Sequence, residues 1–268
     1  MSSDSVQPSS KSNLAGKCVL ITRPQALSSY LVSEIEKRGA HPITLPTIET
    51  VSVAKSSKIG EFLCEEPSAT MVVFVSRNAV HAVEEFIQSN NIPWPAHFSC
   101  AAVGPKTALE IRQAFNVRDV LEPASNFGIE GLLQTSQFDD LRSIPTAIVD
   151  GGGDNSVILR DALIARGSPK VSHFVVYRRQ MPTVDCAEAR RRIKNDSMHY
   201  VIVSSVEGAS NMLKILSDVQ DNTLVRLRII AYSERIGDFL RQRGFSSVAV
   251  ANEPSDNSVI QTMERLSV

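Results

Sequence analysis

Short apolar runs alternate with amphipathic stretches along the whole chain. The runs at 18–22, 71–76, 99–104, 120–122, 146–150, 199–204, 228–232 and 247–251 are mostly Val/Ile-rich and bounded by turn residues. Consecutive apolar positions of this length are what strands buried on both faces require. The stretches at 26–38, 78–88, 106–114, 128–134, 156–166, 206–216, 234–243 and 257–266 carry helical periodicity. Strand–helix alternation of this kind predicts α/β architecture: parallel sheets with helices on both faces. Gly39, Gly167 and Gly244, each following an arginine, are expected as left-handed helix caps.

The pattern then repeats. MVVFVSRNAV aligns with YVIVSSVEGA, setting Ser76 opposite Ser205, and AAVGPKTALEI aligns with IAYSERIGDFL at the same offset, setting Gly104 opposite Ser233. VLITRP followed by KRGAHPITLPTIE resembles AIVDGG followed by ARGSPKVSHFVVY, with Arg38-Gly39 opposite Arg166-Gly167. Several matches at nearly constant offset argue for duplication. Each copy is one strand–helix unit, an extended segment (41–53 or 171–184), and three more strand–helix units. Two foldings fit this symmetry. Each copy folds by itself, or the chain leaves its first domain after one unit, builds the second domain and returns. In the second case the extended segments become two linkers able to pair as a ladder. Either way, facing strand ends of two α/β domains are expected to form a cleft for a small anionic ligand.

Composition narrows the function. The 268 residues include 43% hydrophobic and 21% charged positions, with a formal net charge of -1. That balance gives no electrostatic basis for binding nucleic acid or an anionic membrane, and no apolar run approaches the ~18 residues of a membrane helix. The Ser-rich start, MSSDSVQPSSKSNLAGK, lacks the apolar stretch of a signal peptide and reads as a disordered tail over 1–15. Cys18, Cys64, Cys100 and Cys186 form no CxxC pair, and the five histidines form no HxxxH or HExxH pattern. Free thiols in a reducing cytoplasm and no metal site are expected.

Candidate chemistry lies at the strand–helix junctions. In parallel sheets ligands bind at the C-terminal strand ends, where helix N-termini present unpaired N–H groups to anions. This chain places Thr22, Ser76, Gly104 with Thr107, Ser125, the run Gly151, Gly152 and Gly153, Ser205, Ser233 and Ser255 at those junctions. Each is also an ordinary N-cap residue. The DGGGDN run at 150–155 has neither the GxxxxGK[ST] nor the GxGxxG spacing of a nucleotide loop. Arg23, after the first strand, and Arg235, opening a helix, could each pair with a ligand carboxylate, while ARRRIK at 189–194 reads as a solvated helix face. No Ser–His–Asp triad, nucleophile elbow or paired carboxylates stand out. Catalysis would rest on positioning and on hydrogen bonds to developing charge. Tyr177, in the second extended segment, could donate to a leaving hydroxyl, or it could simply pack there.

Taken in order, VLITRP, LPTIE, FVSRNAV, AVGPKTA, RDALIARGSPKVSHFVVYRR, VIVSS and IAYSERI resemble the uroporphyrinogen-III synthase family from about residue 16 to the C-terminus. The resemblance implies two parallel-sheet three-layer domains joined by a two-stranded linker ladder, and so selects the there-and-back folding. Residues 16–41 with 183–268 would form domain 1, 42–53 and 170–182 the linkers, and 54–169 domain 2. It implies cyclisation of the linear tetrapyrrole hydroxymethylbilane to uroporphyrinogen III, with inversion of ring D and loss of water, through an azafulvene and a spiro intermediate. No metal or organic cofactor is implied. The implied enzyme is a monomer that could receive substrate from the preceding deaminase and hinge about its linkers. Tyr177 falls in the VYRR-type block as the group assisting hydroxyl loss. The strand-end serines map onto Ser76 and Ser205, the AVGxxTA block onto 102–108 with Gly104 and with Thr107 near the substrate, and the fourth-strand block onto 232–236 with Ser233 and Arg235. This chain departs from the family near Asn155-Ser156, where a Gly-Arg pair is common, and at AYSERIG, where a glycine–threonine pattern is common. A non-catalytic binding or sensor module on the same two domains would share the capped helices but would not need Tyr177.

Overall fold

Five strands have every residue buried: Cys18–Ile21, Met71–Phe74, Thr146–Asp150, Tyr200–Val203 and Ile229–Ala231. Sequences such as MVVF and YVIV can be covered this completely only as inner strands with helices on both faces. The structure, a computed structural model, describes residues 13–56 and 58–267, so the expected tail lies outside the described residues up to residue 12. In chain order the strands are β1 (Cys18–Ile21), β2 (His41–Thr44), β3 (Glu49–Ser52), β4 (Met71–Phe74), β5 (Ser99–Ala102), β6 (Val120–Leu121), β7 (Thr146–Asp150), β8 (Val171–Val175), β9 (Tyr177–Gln180), β10 (Tyr200–Val203), β11 (Ile229–Ala231) and β12 (Val248–Val250). The α-helices are α1 (Ser29–Lys37), α2 (Ile59–Glu65), α3 (Arg77–Asn90), α4 (Pro105–Phe115), α5 (Ile129–Leu133), α6 (Asp154–Ala165), α7 (Ala187–Lys194), α8 (Val206–Ile215), α9 (Asp221–Leu224), α10 (Glu234–Arg241) and α11 (Asp256–Leu266).

The chain divides into two compact units. Unit 1 takes the chain up to Glu49 and from Met181 onward, and unit 2 is Thr50–Gln180. Unit 1 holds a parallel sheet in the order β12-β11-β10-β1-β2, and unit 2 a parallel sheet in the order β6-β5-β4-β7-β8. The first sequence copy supplies β1, β2 and β4 to β6, and the second supplies β7, β8 and β10 to β12. Each sheet therefore combines the first unit of one copy with the last three of the other. This is the there-and-back folding, and the chain crosses between units within or beside β3 and β9, which pair as a separate two-stranded sheet.

The segments expected as linkers, 42–53 and 170–182, each divide in two. β2 and β8 join the main sheets as edge strands, and only β3 and β9 form the small ladder. Partial burial along β2 and β8 suits an edge with one side exposed. Three short helices, α2, α7 and α9, interrupt stretches that carry weak periodicity. In α7 the ARRRIK run exposes Arg191 and Lys194 as expected but buries Ala189 and Ile193. Gly39, Gly167 and Gly244 adopt φ of 74°, 86° and 89°, the expected left-handed caps.

Unit 2 buries alternate residues of its strands on opposite faces. Val72, Phe74, Val83 and Ile111 share one core, while Val73, Ile148, Leu132 and Leu163 share the other. All four cysteines are free thiols. No helix among the described residues is long and apolar enough to cross a membrane. Leu14, expected at the end of the tail, is instead 0% exposed and packed in the unit 1 core. Leu14→Ala should therefore lower the stability of unit 1 by about 2–4 kcal/mol, as for other buried leucines. Denaturant unfolding checks this, and a surface-like change below about 0.5 kcal/mol would place Leu14 outside the core.

Candidate active site at the strand ends

Each inner strand ends where a helix begins, and there the buried apolar run gives way to hydroxyl or glycine residues. Ser76 caps α3: its backbone is extended (φ −162°, ψ 160°) and its Oγ accepts from the Ala79 amide at 3.2 Å. Ser205 caps α8 with nearly the same geometry (φ −156°, ψ 156°), its Oγ accepting from the Gly208 amide at 2.9 Å. Gly104 and Ser233 stand at the equivalent caps of α4 and α10, and neither supplies a side-chain cap. Their duplicated sequence therefore gives duplicated local geometry.

Beyond the caps the two units differ. In unit 2 the Ser76 hydroxyl also donates to Tyr177 Oη at 3.0 Å. Ser76 thus accepts one hydrogen bond and gives its own hydrogen away. The Tyr177 hydroxyl has accepted one bond and keeps its proton for a further acceptor. Tyr177 opens β9 and is 7% exposed. Its ring lies on the backbone of Gly151, where a Cβ would come within 2.4 Å of Tyr177 Cζ. Glycine at 151 is required by this contact and not by its torsion angles.

The glycine loop is tied down by Asp150. This buried carboxylate accepts from the Gly152 amide at 2.7 Å and from the Ser156 hydroxyl, and His173 Nε2 lies 2.9 Å away. Gly152 and Gly153 take φ of 78° and 107°, values that β-carbons disfavour, so the loop turns sharply before α6 starts. A cavity of about 680 Å³ opens here, lined by Ser76, the three loop glycines, Asn155, Tyr177, Arg178 and Arg179. The structure thus joins the DGGGDN run, whose contact with ligand was left open, to the same cavity as Tyr177.

First-turn charges divide the helix N-termini that face the strand ends. α3 and α4 carry no acidic residue in their first turns. They carry Arg77 and Lys106 instead, whose side chains are free for an anion apart from a 3.9 Å approach of Arg77 to Glu110. α5, α6, α8, α10 and α11 each place an acid there: Glu130, Asp154, Glu207, Glu234 and Asp256. An acid in that position already satisfies the helix dipole and repels a ligand carboxylate. The acid-free termini of α3 and α4 lie in unit 2, and that of α1 in unit 1. Thr107, in the first turn of α4, is 6% exposed beside Lys106.

In unit 1 the predicted residues are largely engaged. Arg23 pairs with Asp256 and donates to Tyr232 Oη at 3.1 Å, and Tyr232 in turn donates to Asp256. The arginine expected to meet a ligand carboxylate has an internal carboxylate. Burial, then the hydrogen bond to Asp256, push the Tyr232 phenol well above its ordinary range. Near Ser205, the Thr47 hydroxyl bonds the Thr22 carbonyl at 2.9 Å and Asn211 holds the Thr47 carbonyl at 2.9 Å. Among the described residues, no tyrosine hydroxyl is bonded to Ser205. Arg235 is exposed in the first turn of α10, next to Glu234. Among the described residues no group of His, Cys, Asp and Glu could hold a metal ion.

Sequence reasoning missed Lys106, Arg77 and the clamp at Asp150. Lys106 was within reach, because the duplication sets it opposite Arg235. Asp150 gave no signal, since its partners at 152, 156 and 173 have no diagnostic spacing.

Known proteins resemble this chain along most of its length. The family model described as Uroporphyrinogen-III synthase HemD matches residues 29–261. A uroporphyrinogen-III synthase of Salmonella typhimurium is 25% identical over 247 residues, covering 92% of this chain and 99% of its own. That of Escherichia coli is 23% identical over the same shares. Among solved structures, uroporphyrinogen-III synthetase from Helicobacter pylori superposes with a TM-score of 0.56 at 15% identity, covering 93% of this chain and 99% of its own. A mutant uroporphyrinogen III synthase from Thermus thermophilus does so with a TM-score of 0.55 at 15% identity, covering 93% and 98%; at this identity the likeness concerns the fold. With a family model spanning most of its length and relatives matched nearly end to end, the chain belongs to the uroporphyrinogen-III synthase family.

Proposed function

We propose that this chain cyclises hydroxymethylbilane to uroporphyrinogen III, with loss of one water and inversion of ring D, in tetrapyrrole biosynthesis. The observation that carries the proposal is the Tyr177 hydroxyl. It accepts from Ser76, retains its proton and borders a cavity large enough for a pyrrole ring with its acidic arms. A hydroxyl leaves a carbon as water only if it gains a proton, and a positioned donor lowers that barrier. Tyr177 donates to the departing hydroxyl while the pyrrole nitrogen supplies the electron pair, giving an azafulvene. Ring D attacks that carbon through its substituted position, and the resulting spiro intermediate reopens and recloses. The overall change is loss of water with no net oxidation, so the chemistry itself calls for no redox cofactor.

Binding falls to the acid-free termini of α3 and α4, with Arg77 and Lys106, and to Arg178 at the cavity rim. Helix dipoles and backbone amides there attract carboxylates. Ser76, Gly104 and Thr107 lie at these termini as cap and first-turn residues. Ser205, Ser233 and Arg235 contribute more weakly, because acids share their helix turns. The enzyme works as a soluble cytoplasmic monomer and could take its substrate from the preceding deaminase.

Incubation with hydroxymethylbilane generated in situ, followed by oxidation and isomer separation, tests the reaction. Product should be enriched in isomer III over the enzyme-free control, and no enrichment would remove the enzyme reading in favour of a binding module. Tyr177→Phe should lower kcat by at least about tenfold, somewhat under the usual range for a positioned acid. Tyr232→Phe, whose hydroxyl is already engaged, should leave kcat within about threefold while lowering stability by about 1 kcal/mol. Equal effects on kcat would clear Tyr177 of a chemical role. Lys106→Gln should raise KM by about three- to tenfold with kcat nearly unchanged, whereas Arg235→Gln should move KM by less than about twofold. The reverse order would shift the carboxylate grip to unit 1.

A further inference from the structure

Unit 1 has a second cavity, at the opposite end of its sheet from the strand ends described above. It encloses about 400 Å³ and is lined by Lys17, Lys194, Asp196, His199, Arg226 and Arg228 together with apolar and neutral residues. Lys17 stands immediately before β1, His199 before β10 and Arg228 before β11. These three strands are neighbours in the sheet, about 4.8 Å apart. The basic groups therefore begin as a row set by the sheet itself, with Lys194 and Arg226 added from the segments around α7 and α9.

The charges are not spent inside the protein. Lys17, Arg226 and Arg228 have no carboxylate within ion-pair distance among the described residues. Lys194 comes no nearer than 4.0 Å to Asp218. Asp196 is the one acidic side chain in the lining, against four cations. His199 presents a donor as well. Its Nδ1 accepts from the Cys18 amide at 2.9 Å, which leaves the ring proton on Nε2. Burial, then the charges of Lys17 and Arg228, hold this imidazole below its ordinary range, as an uncompensated positive field would.

Nor does the fold need these charges. The corresponding strands of unit 2 are β7, β4 and β5, and the residues immediately before them are Pro145, Thr70 and Phe98, all uncharged. The same five-stranded sheet forms there. Helix capping does not explain the cations either. The last carbonyls of α7 are already taken by the amides of Asn195, Asp196 and Ser197. On a chain with net charge -1, a concentration of unpaired cations around one cavity is a local feature.

We propose that this cavity is a binding site for a compact oligophosphate, separate from the tetrapyrrole site, gripped by Lys17, Lys194, Arg226 and Arg228 with a hydrogen bond from His199. Phosphate fits better than a polycarboxylate because it packs three or four charges into a body small enough for the cavity. β1 and β11 flank β10 and are about 10 Å apart by strand spacing, close to the Debye length of about 8 Å at physiological salt, so the cations act on one ligand together. Arginine supplies the fork and lysine the point charge that phosphate oxygens take. The ligand is either a free oligophosphate or the phosphate tail of a nucleotide.

Calorimetric titration of the full chain with sodium tripolyphosphate at constant ionic strength tests this. One saturating site is expected. Lys17→Gln with Arg228→Gln, and separately Arg226→Gln with Arg228→Gln, should each weaken binding at least about tenfold, as loss of two charges from one phosphate site does. Lys214→Gln with Arg265→Gln, which removes the same charge from exposed positions elsewhere, should change it less than about twofold. Titration with ATP separates the sources: equal affinity assigns the site to a nucleotide tail, and much weaker binding assigns it to free oligophosphate. Absence of saturable binding to both probes, or an equal loss in the exposed-position variant, overturns the proposal. Because binding is read directly, neither outcome depends on the cyclisation reaction.

Discussion

The inner strands admit no polar chemistry along their length. Every residue of β1, β4, β7, β10 and β11 is buried, and all but Thr146 and Asp150 are apolar apart from the Tyr200 hydroxyl. A polar group can enter such a sheet only at its ends, with partners in place, because an unpaired buried carboxylate costs several kcal/mol. Asp150 meets that condition through Gly152, Ser156 and His173. Its bonds fix the glycine loop, and Gly151 leaves the space that the Tyr177 ring fills. The ring in turn brings its hydroxyl to Ser76. The position of the Tyr177 hydroxyl thus depends on a buried carboxylate, Asp150, which itself borders the cavity.

Duplication supplied two such sets of strand ends, and the two sets have diverged in one direction. Ser76 and Ser205 keep the same cap geometry, but the hydroxyl that meets Ser76 belongs to a tyrosine while the one near Ser205 belongs to Thr47, already bonded to a backbone carbonyl. Tyr232 might look like a second acid from its position after β11, yet it is enclosed by Arg23 and Asp256. First-turn acids do not follow the units: they are absent from α1, α3 and α4 and present on α5, α6, α8, α10 and α11. One unit joins a tyrosine hydroxyl to a serine cap at an acid-free terminus. The other turns the same backbone into a self-satisfied structure.

The sequence told much of the fold because the fold rests on local signals. Val/Ile runs, helical periodicity and the glycines at 39, 167 and 244 mark elements one at a time, and each formed near its expected place. The exchange of units between sheets was not local. β1 lies beside β10 at a separation that no periodic pattern records, and the choice came from resemblance to a family. The site divides the same way. Ser76, Gly104 and Ser205 are legible as caps, since capping depends on the next three residues. The pairing of Arg23 was not legible because its partner, Asp256, is on the last helix, and an arginine after a strand looks the same whether its carboxylate belongs to a ligand or to the chain. Lys106 is an intermediate case, because it becomes visible only once the two copies are aligned and first-turn charges are compared.

The distribution of these groups also fits the problem of letting go. A substrate with eight carboxylates could be held by buried ion pairs, but breaking each one on release would expose an unpaired charge at a cost of several kcal/mol. Exposed helix termini contribute about 0.3–1 kcal/mol each, and exposed cations such as Lys106 and Arg178 a similar amount. Many weak contacts hold a polyanion firmly together and yield it one arm at a time. The proton donor has the opposite need. A donor in such a reaction must meet the hydroxyl away from water, which would otherwise compete for its hydrogen bond and capture the reactive intermediate. A tyrosine 7% exposed, bonded to the cap of a helix whose first residue, Arg77, is exposed, has the geometry to meet both demands.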